Sequence, residues 1–224
     1  IELRILAHVA KIENLIKGFK NNNDIHSLTA MEVFQVNESE LTTELRRRAK
    51  TINFGIIYGI SPYGLANQLN ISNSEAKDYI KKYFRRYPGI ENYMSSTIKY
   101  CKDNGFVSTL FGRKIFIPFI NDKNTVRRNF GERSAINAPI QGGAADMIKR
   151  SMIQIDRYIS SNNLKTKMLL QVHDELIFEI PKSEIESVPR KIASIMEVCF
   201  KPVINFSVPL RAEIGKGLNW AEAH

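Results

Sequence analysis

Cysteine is scarce in this 224-residue chain, which carries only Cys101 and Cys199. The two lie far apart and without metal-ligand spacing, so a disulfide framework and a zinc module are both excluded. They read as reduced thiols of an intracellular protein. No apolar run is long enough to span a bilayer and no signal peptide is visible, so no membrane partner is expected. Acidic residues are also in deficit: 23 Asp plus Glu stand against 32 Lys plus Arg, for a net charge of +9. An excess of this size favours a polyanionic partner, nucleic acid first, although charge also serves simple solubility. The hydrophobic fraction, 43%, is ordinary for a globular protein, and the length allows one large domain or two small ones with a real core. The chain opens on Ile1 inside a helical pattern and without a Met, as a piece of a longer protein would.

The densest stretch is Arg46 to Gly59, RRRAKTINFGIIYG. As a helix it advances about 100° per residue, so Arg46, Lys50, Phe54 and Tyr58 drift slowly across one face while Leu45, Ala49, Ile52 and Ile56 form an apolar one. Charge runs are commonly solvated and helical aromatics commonly core. Cations and rings sharing a face apart from the apolar stripe instead suit a helix that holds a polyphosphate at one end and stacks a base at the other. Gly55 and Gly59 each cost about 1 kcal/mol in a helix interior, which suggests close approach by another group.

In chain order, Ile1 to Lys11 has helical spacing, with Glu2 as a helix-start carboxylate. Phe19 to Asn23 reads as a loop, and Asp24 as the cap of a helix carrying His26. Ser72 with Glu75 matches a capping box. It opens a helix whose cations Lys77, Lys81, Lys82, Arg85 and Arg86 face either template phosphates or water. Pro88-Gly89 breaks that helix and Gly105 caps the next. Phe106 to Pro118 reads as a short hairpin turning at Phe111-Gly112-Arg113.

Two further stretches are dense in chemistry. In RSAINAPIQGG, Arg133, Asn137 and Gln141 recur every four residues, with Pro139 interrupting, so one unbroken helix face is not assured. Amide side chains there could donate to minor-groove acceptors, which lie in nearly the same place in every base pair; turn and cap chemistry would also explain them. Gly142 to Asn162 reads as a long core helix. In KMLLQVHDELIFEI, Met168 to Val172 and Leu176 to Ile180 flank His173-Asp174-Glu175, a hairpin with acids at its tip. The apolarity of both strands suggests a buried sheet presenting a metal platform. Ser183 to Phe200 reads as an amphipathic helix with Glu184 and Glu186 in its first turn, Val208 to Ile214 as a final strand, and Trp220 as a packing residue.

Arg46, Lys50, Phe54, Tyr58 and Gly59 together closely resemble the nucleotide-binding fingers helix of family A DNA polymerases, the bacterial DNA polymerase I family. Ile1-Glu2-Leu3-Arg4, Arg133-to-Gln141 and Val172-His173-Asp174-Glu175 resemble that family's other motifs, in the same order. The resemblance covers nearly the whole chain; Gly143 departs from the family's common Gln-Gly-Thr. It implies an α+β right-hand polymerase with an antiparallel palm sheet and a mostly helical fingers subdomain. Residues 1–10 would be palm, the end of the first acidic motif, 11–130 fingers and 131–224 palm.

The implied activity is template-directed DNA synthesis, adding deoxynucleotides from dNTPs to a primer 3'-hydroxyl with two Mg²⁺ ions. Asp174 would be a metal ligand and Glu175 a supporting one. Lys50 would protonate the pyrophosphate, and Arg46, Lys50 and His26 would lie at the triphosphate. Phe54 would pack on sugar and base, Tyr58 would stack near the templating base, and Glu2 would gate against a ribose 2'-hydroxyl. Arg133, Asn137 and Gln141 would contact the primer-template minor groove, and His173 would position the primer terminus. The expected partners are primer-template DNA and dNTP, for a monomer at the bacterial nucleoid in the cytoplasm. The family's first catalytic Asp would lie just before Ile1, so the 224 residues alone are not expected to extend primers. The alternatives are a single-subunit RNA polymerase and a non-catalytic nucleic-acid-binding domain.

Overall fold

The computed structural model describes residues 1–223. It is mostly helical with two small antiparallel hairpins, which is the α+β class expected. α1 (Glu2–Val9) leads to α2 (Glu13–Lys20) and α3 (Ile25–Phe34), and a 3-10 turn (Glu38–Glu40) precedes α4 (Thr43–Ile57). Then come α5 (Pro62–Leu69), α6 (Asn73–Arg86) and α7 (Pro88–Asn104), the hairpin β1 (Phe106–Ser108) and β2 (Lys114–Phe116), and α8 (Thr125–Ser161). The second hairpin, β3 (Lys167–Val172) and β4 (Glu175–Glu179), is followed by α9 (Val188–Glu197) and a terminal turn of helix, α10 (Trp220–Ala223).

Side-chain oxygens begin five of the helices. Asp24 accepts from the His26 and Ser27 amides, Thr42 from Leu45, Ser61 from Gly64, Ser72 from Glu75, and Asn124 from Val126 and Arg127. Each satisfies amides that the first helical turn leaves without a partner. Only half of the expected box at Ser72 forms, because the Glu75 carboxylate accepts from the Tyr79 hydroxyl at 2.5 Å instead. Gly105 ends α7 at φ +78°, as the sequence indicates.

One large core joins the ends of the chain to its middle. Ile5 and Leu6 of α1, Ile52 and Ile56 of α4, Ile140 and Met147 of α8, and Phe206 and Val208 near the C-terminus belong to one buried cluster. α8 is its spine. Its 37 residues span roughly 55 Å at 1.5 Å per residue. Pro139 does not interrupt it, contrary to the sequence expectation. An interior proline costs about 3 kcal/mol. Ala135, Ile136, Pro139 and Ile140 are all buried, so packing offsets that cost, and the Tyr93 hydroxyl adds a 3.0 Å bond to the Ile136 carbonyl.

Other expectations are corrected. No strand forms over 208–214. Phe206 and Val208 are buried, but the local backbone bonds side chains rather than a neighbouring strand. Arg4 Nη1 donates to the Pro209 carbonyl at 2.6 Å, and the Ser207 amide donates to His8 Nδ1 at 3.2 Å. The helix expected from Ser183 starts at Val188, because the Glu184 carboxylate is diverted to the Lys165 and Thr166 amides and the Thr166 hydroxyl. The β3–β4 hairpin is not a buried sheet: Leu169 and Leu170 are 54% and 46% exposed. Trp220 is 49% exposed on α10, so it is not a packed core residue.

Candidate nucleotide and nucleic-acid site

α4 buries Ala49, Ile52 and Ile56 and leaves Arg46 and Lys50 exposed, which is the division of faces read from its spacing. The helix ends earlier than the sequence suggests. Tyr58 is its C-cap and Gly59 turns away at φ +69°. A Cβ on Gly59 would meet Arg133 Cγ at 3.1 Å, so this glycine provides the close approach inferred for it, and its neighbour is Arg133 of α8. Gly55 plays the same part toward Ile60, whose Cγ2 would lie 3.1 Å from an added Cβ.

Tyr58 stands where three elements meet. Its hydroxyl donates to Glu2 Oε2 of α1, and the Gln141 side chain of α8 lies beside it. Burial, then the bond to Glu2 and its charge, push the phenol up to about 12, with the Gln141 amide opposing. Phe54 stands behind it, its ring centroid 6.1 Å away, and His26 lies 5.7 Å beyond Phe54. Four of the expected nucleotide residues, Glu2, His26, Phe54 and Tyr58, are therefore contiguous.

The cationic end of α4 is organised from α3. Asp24 divides its oxygens: Oδ1 caps α3, and Oδ2 takes Arg46 Nε at 2.5 Å. Burial acts to raise the Asp24 pKa, but the Arg46 bond, the His26 and Ser27 amides and the Arg46 charge together hold it below the usual carboxylate range. His26 is half-buried, and burial pushes it below the ordinary histidine value. Asp24 opposes that shift, while the Arg46 and Lys50 charges add to it. Asn53, fully buried on α4, places Nδ2 3.0 Å from His26 Nδ1.

Asp174 and His173 form the two-residue turn between β3 and β4, with Val172 paired to Glu175. His173 takes φ +52°, a left-handed value that histidine adopts more readily than most residues, and its carbonyl accepts from Gln171 Nε2 at 2.9 Å. The Asp174 side chain is 57% exposed, and its Oδ2 lies 3.9 Å from the Ile1 nitrogen. The hairpin tip therefore sits against the start of α1, one residue from Glu2. Hard carboxylate oxygens at Asp174 and Glu175 suit Mg²⁺, which is bound through one or two carboxylates together with waters and substrate phosphates. Among the described residues no group of three or more His, Cys, Asp or Glu forms a metal cluster.

On α8, Arg133 and Gln141 are exposed, and Asn137 Oδ1 is buried with no hydrogen-bond partner. Three relationships were not read from the sequence. The Asp24–Arg46 pair spans 22 residues, with no local pattern to announce it. Arg113 binds Asp146 Oδ1 at 2.8 Å and the Gly142 carbonyl at 3.0 Å, clamping the β1–β2 hairpin to α8. Asn53 had a visible signal: a lone amide within the Ala49–Ile52–Ile56 apolar face.

A family model described as DNA polymerase family A matches residues 1–222. The chain is 53% identical to a DNA polymerase I of Rhizobium leguminosarum, over 100% of this chain and 22% of that protein. It is 50% identical to a DNA polymerase I of Caldicellulosiruptor bescii, over 99% of this chain and 26% of that protein. It spans about a quarter of the length of such relatives. Among solved structures, the POL domain of Pol1 from M. smegmatis, in complex with DNA primer-template and dNTP, superposes with a TM-score of 0.94. It is 40% identical and covers 100% of this chain and 39% of that one.

Proposed function

The chain belongs to DNA polymerase family A, and from that membership and the geometry above we propose that it carries the nucleotide-binding and part of the metal-binding machinery of a template-directed DNA polymerase. The reaction joins a deoxynucleotide from a dNTP to a primer 3'-hydroxyl and releases pyrophosphate. The observation that carries the reading is the junction at Tyr58. One phenol joins the end of the nucleotide helix to Glu2 beside Gln141, and Asp174 stands beside Ile1.

Each side chain has a role set by its place. Arg46 and Lys50 supply positive charge where the triphosphate gathers negative charge, and pre-positioned charges of this kind act without reorganisation in the transition state. Lys50 is the proton donor to pyrophosphate, and His26 adds a neutral contact. Phe54 packs on sugar and base, Tyr58 stacks near the templating base, and Glu2 blocks a ribose 2'-hydroxyl. Asp174 and Glu175 would hold Mg²⁺. Two such ions, when bound, activate the 3'-hydroxyl and neutralise the leaving pyrophosphate. Arg133, Asn137 and Gln141 face the minor groove of the primer-template, and His173 positions the primer end. Residues 1–10 and 131–224 are palm, and 11–130 fingers. The working unit is a monomer acting in the cytoplasm on nucleoid DNA. Among the described residues, no helix is long and apolar enough to cross a membrane.

The cations of α6 divide in a way that fits DNA. Lys82 is tied to the Val33 carbonyl and Arg86 to Glu32. Lys77, Lys81 and Arg85 recur at four-residue spacing along a groove of about 530 Å³ floored by Ile80 and Phe84, with Glu91 as its acid. We assign that stripe to template phosphates. The test is primer extension by the protein expressed from its full reading frame, with dNTP against rNTP and with and without Mg²⁺. Deoxynucleotide addition that depends on template and metal is expected, with Glu2→Ala relaxing sugar choice. Preference for rNTP, or nucleic-acid binding without extension, would overturn the reading.

A further inference from the structure

Asn53 is fully buried on the apolar face of α4, where an unpaired amide would be costly, and both ends of its amide are bonded. The Thr29 hydroxyl, shared with the Ile25 carbonyl at 2.8 Å, donates to Asn53 Oδ1 at 3.1 Å. That leaves Nδ2 to face His26 Nδ1 at 3.0 Å. A nitrogen that receives a hydrogen bond carries no proton, and a neutral imidazole then keeps its proton on the other nitrogen. We propose that Asn53 is a positioning residue that fixes His26 as the neutral tautomer protonated at Nε2, so that the triphosphate meets one neutral donor beside the Arg46 and Lys50 cations. This rests on the reading of His26 as a triphosphate ligand.

The surroundings support the assignment. The charged groups acting on His26 are Asp24 at the start of its own helix and Arg46 and Lys50 across on α4, and burial and the two cations both work against an imidazolium. The Phe54 ring covers the imidazole at 5.7 Å between centroids. The His26 amide is held by Asp24 Oδ1. The ring is thus fixed by its backbone, by Phe54 and by Asn53, and Nδ1 is spent inside the protein. The division of labour follows: Arg46 and Lys50 attract a polyanion over distance, while an Nε2–H donor in a fixed direction senses where a phosphate oxygen lies.

Two measurements on the protein from its full reading frame test this. Long-range ¹⁵N–¹H spectra of histidine-labelled protein, with His26 assigned through His26→Gln, should show a protonated Nε2 and a bare Nδ1. In Asn53→Leu the signal should become a tautomer mixture. Thr29→Val, which keeps Asn53 but frees its amide to turn, should give the same mixture and serves if Asn53→Leu does not fold. In steady-state extension, Asn53→Leu should raise the dNTP KM about tenfold with kcat within about twofold, the scale of one lost hydrogen bond. Combined with His26→Ala, it should add nothing further. A protonated Nδ1 in the unmodified protein, or an Asn53→Leu effect that persists undiminished on His26→Ala, would overturn the proposal. If His26→Ala leaves KM unchanged, the triphosphate assignment fails, and the tautomer spectra still decide whether Asn53 fixes the ring.

Discussion

The Tyr58 hydroxyl donates to the Glu2 carboxylate, joining the C-cap of α4 to the first turn of α1. The two residues are 56 positions apart. The contact closes α4, the helix proposed to hold the nucleotide, onto the acid expected to sit beneath the sugar, and any movement of α4 over a bound nucleotide has to keep or break it.

Burial, together with that bond, gives Tyr58 a titration signature. The folded-state pKa of Tyr58 is raised from 10.0 to about 12, so the folded protein holds the proton over a range where the unfolded chain loses it. Its contribution to stability is complete below about pH 10 and is lost as pH rises toward 12. Urea denaturation across that window should show a decline that is shallower in Tyr58→Phe. Tyr79 is also pushed up to about 12 by burial and the Glu75 bond, and burial raises Tyr83, Tyr87 and Tyr93 as well, so the Tyr58 share is the difference between Tyr58→Phe and the unmodified protein.

Gly59 should not tolerate a side chain. Its φ is +69°, and an added Cβ would lie 3.1 Å from Arg133 Cγ. Gly59→Ala should cost about 1–2 kcal/mol from the left-handed backbone alone and displace the Arg133 stem. Chemical denaturation gives the first effect. Weakened primer-template binding gives the second, and unchanged affinity would detach Arg133 from DNA.

Much of this was legible in the sequence because it was local. The α4 faces follow from helical spacing, the cap at Asp24 from residue type, and the β3–β4 turn from apolar runs flanking His173-Asp174. Long-range partners were not legible. Nothing near Asp24 announces Arg46, and nothing near Glu184 announces the Thr166 amide that draws it out of a helix. The strand expected over 208–214 failed for the same reason. Alternation records which side chains are buried, and Val208 is buried. A strand also needs a neighbouring backbone, and here Arg4 and His8 side chains take that place. Pro139 is the converse case, a local breaker overridden by packing.

Asp24 separates two contributions. Asn caps a helix as well as Asp does, so Asp24→Asn should lose only the half-exposed ion pair with Arg46, a cost of about 0.2–1 kcal/mol. Asp24→Ala should cost about 1 kcal/mol more through the lost cap. Asp24 has a depressed pKa, so its contribution is present above the ordinary carboxylate value of 3.8 and is lost as pH falls below it. Urea titrations at pH 7 and pH 3 should therefore show the gap between the unmodified protein and Asp24→Asn narrowing in acid.

The α6 stripe should be visible in salt. Neutralising Lys77, Lys81 and Arg85 together should lower the salt slope of single-stranded DNA binding by about 2, at about 0.7 for each phosphate left without its cation. Neutralising Lys82 and Arg86, which are tied to Val33 and Glu32, should change the slope less and stability more.

Asp174, the acid at the tip of the β3–β4 hairpin, is the proposed metal ligand for nucleotidyl transfer. Primer extension and DNA affinity should be measured for Asp174→Ala in the protein from its full reading frame. Extension should be abolished while DNA binds nearly as before. Extension that survives the substitution would contradict the account.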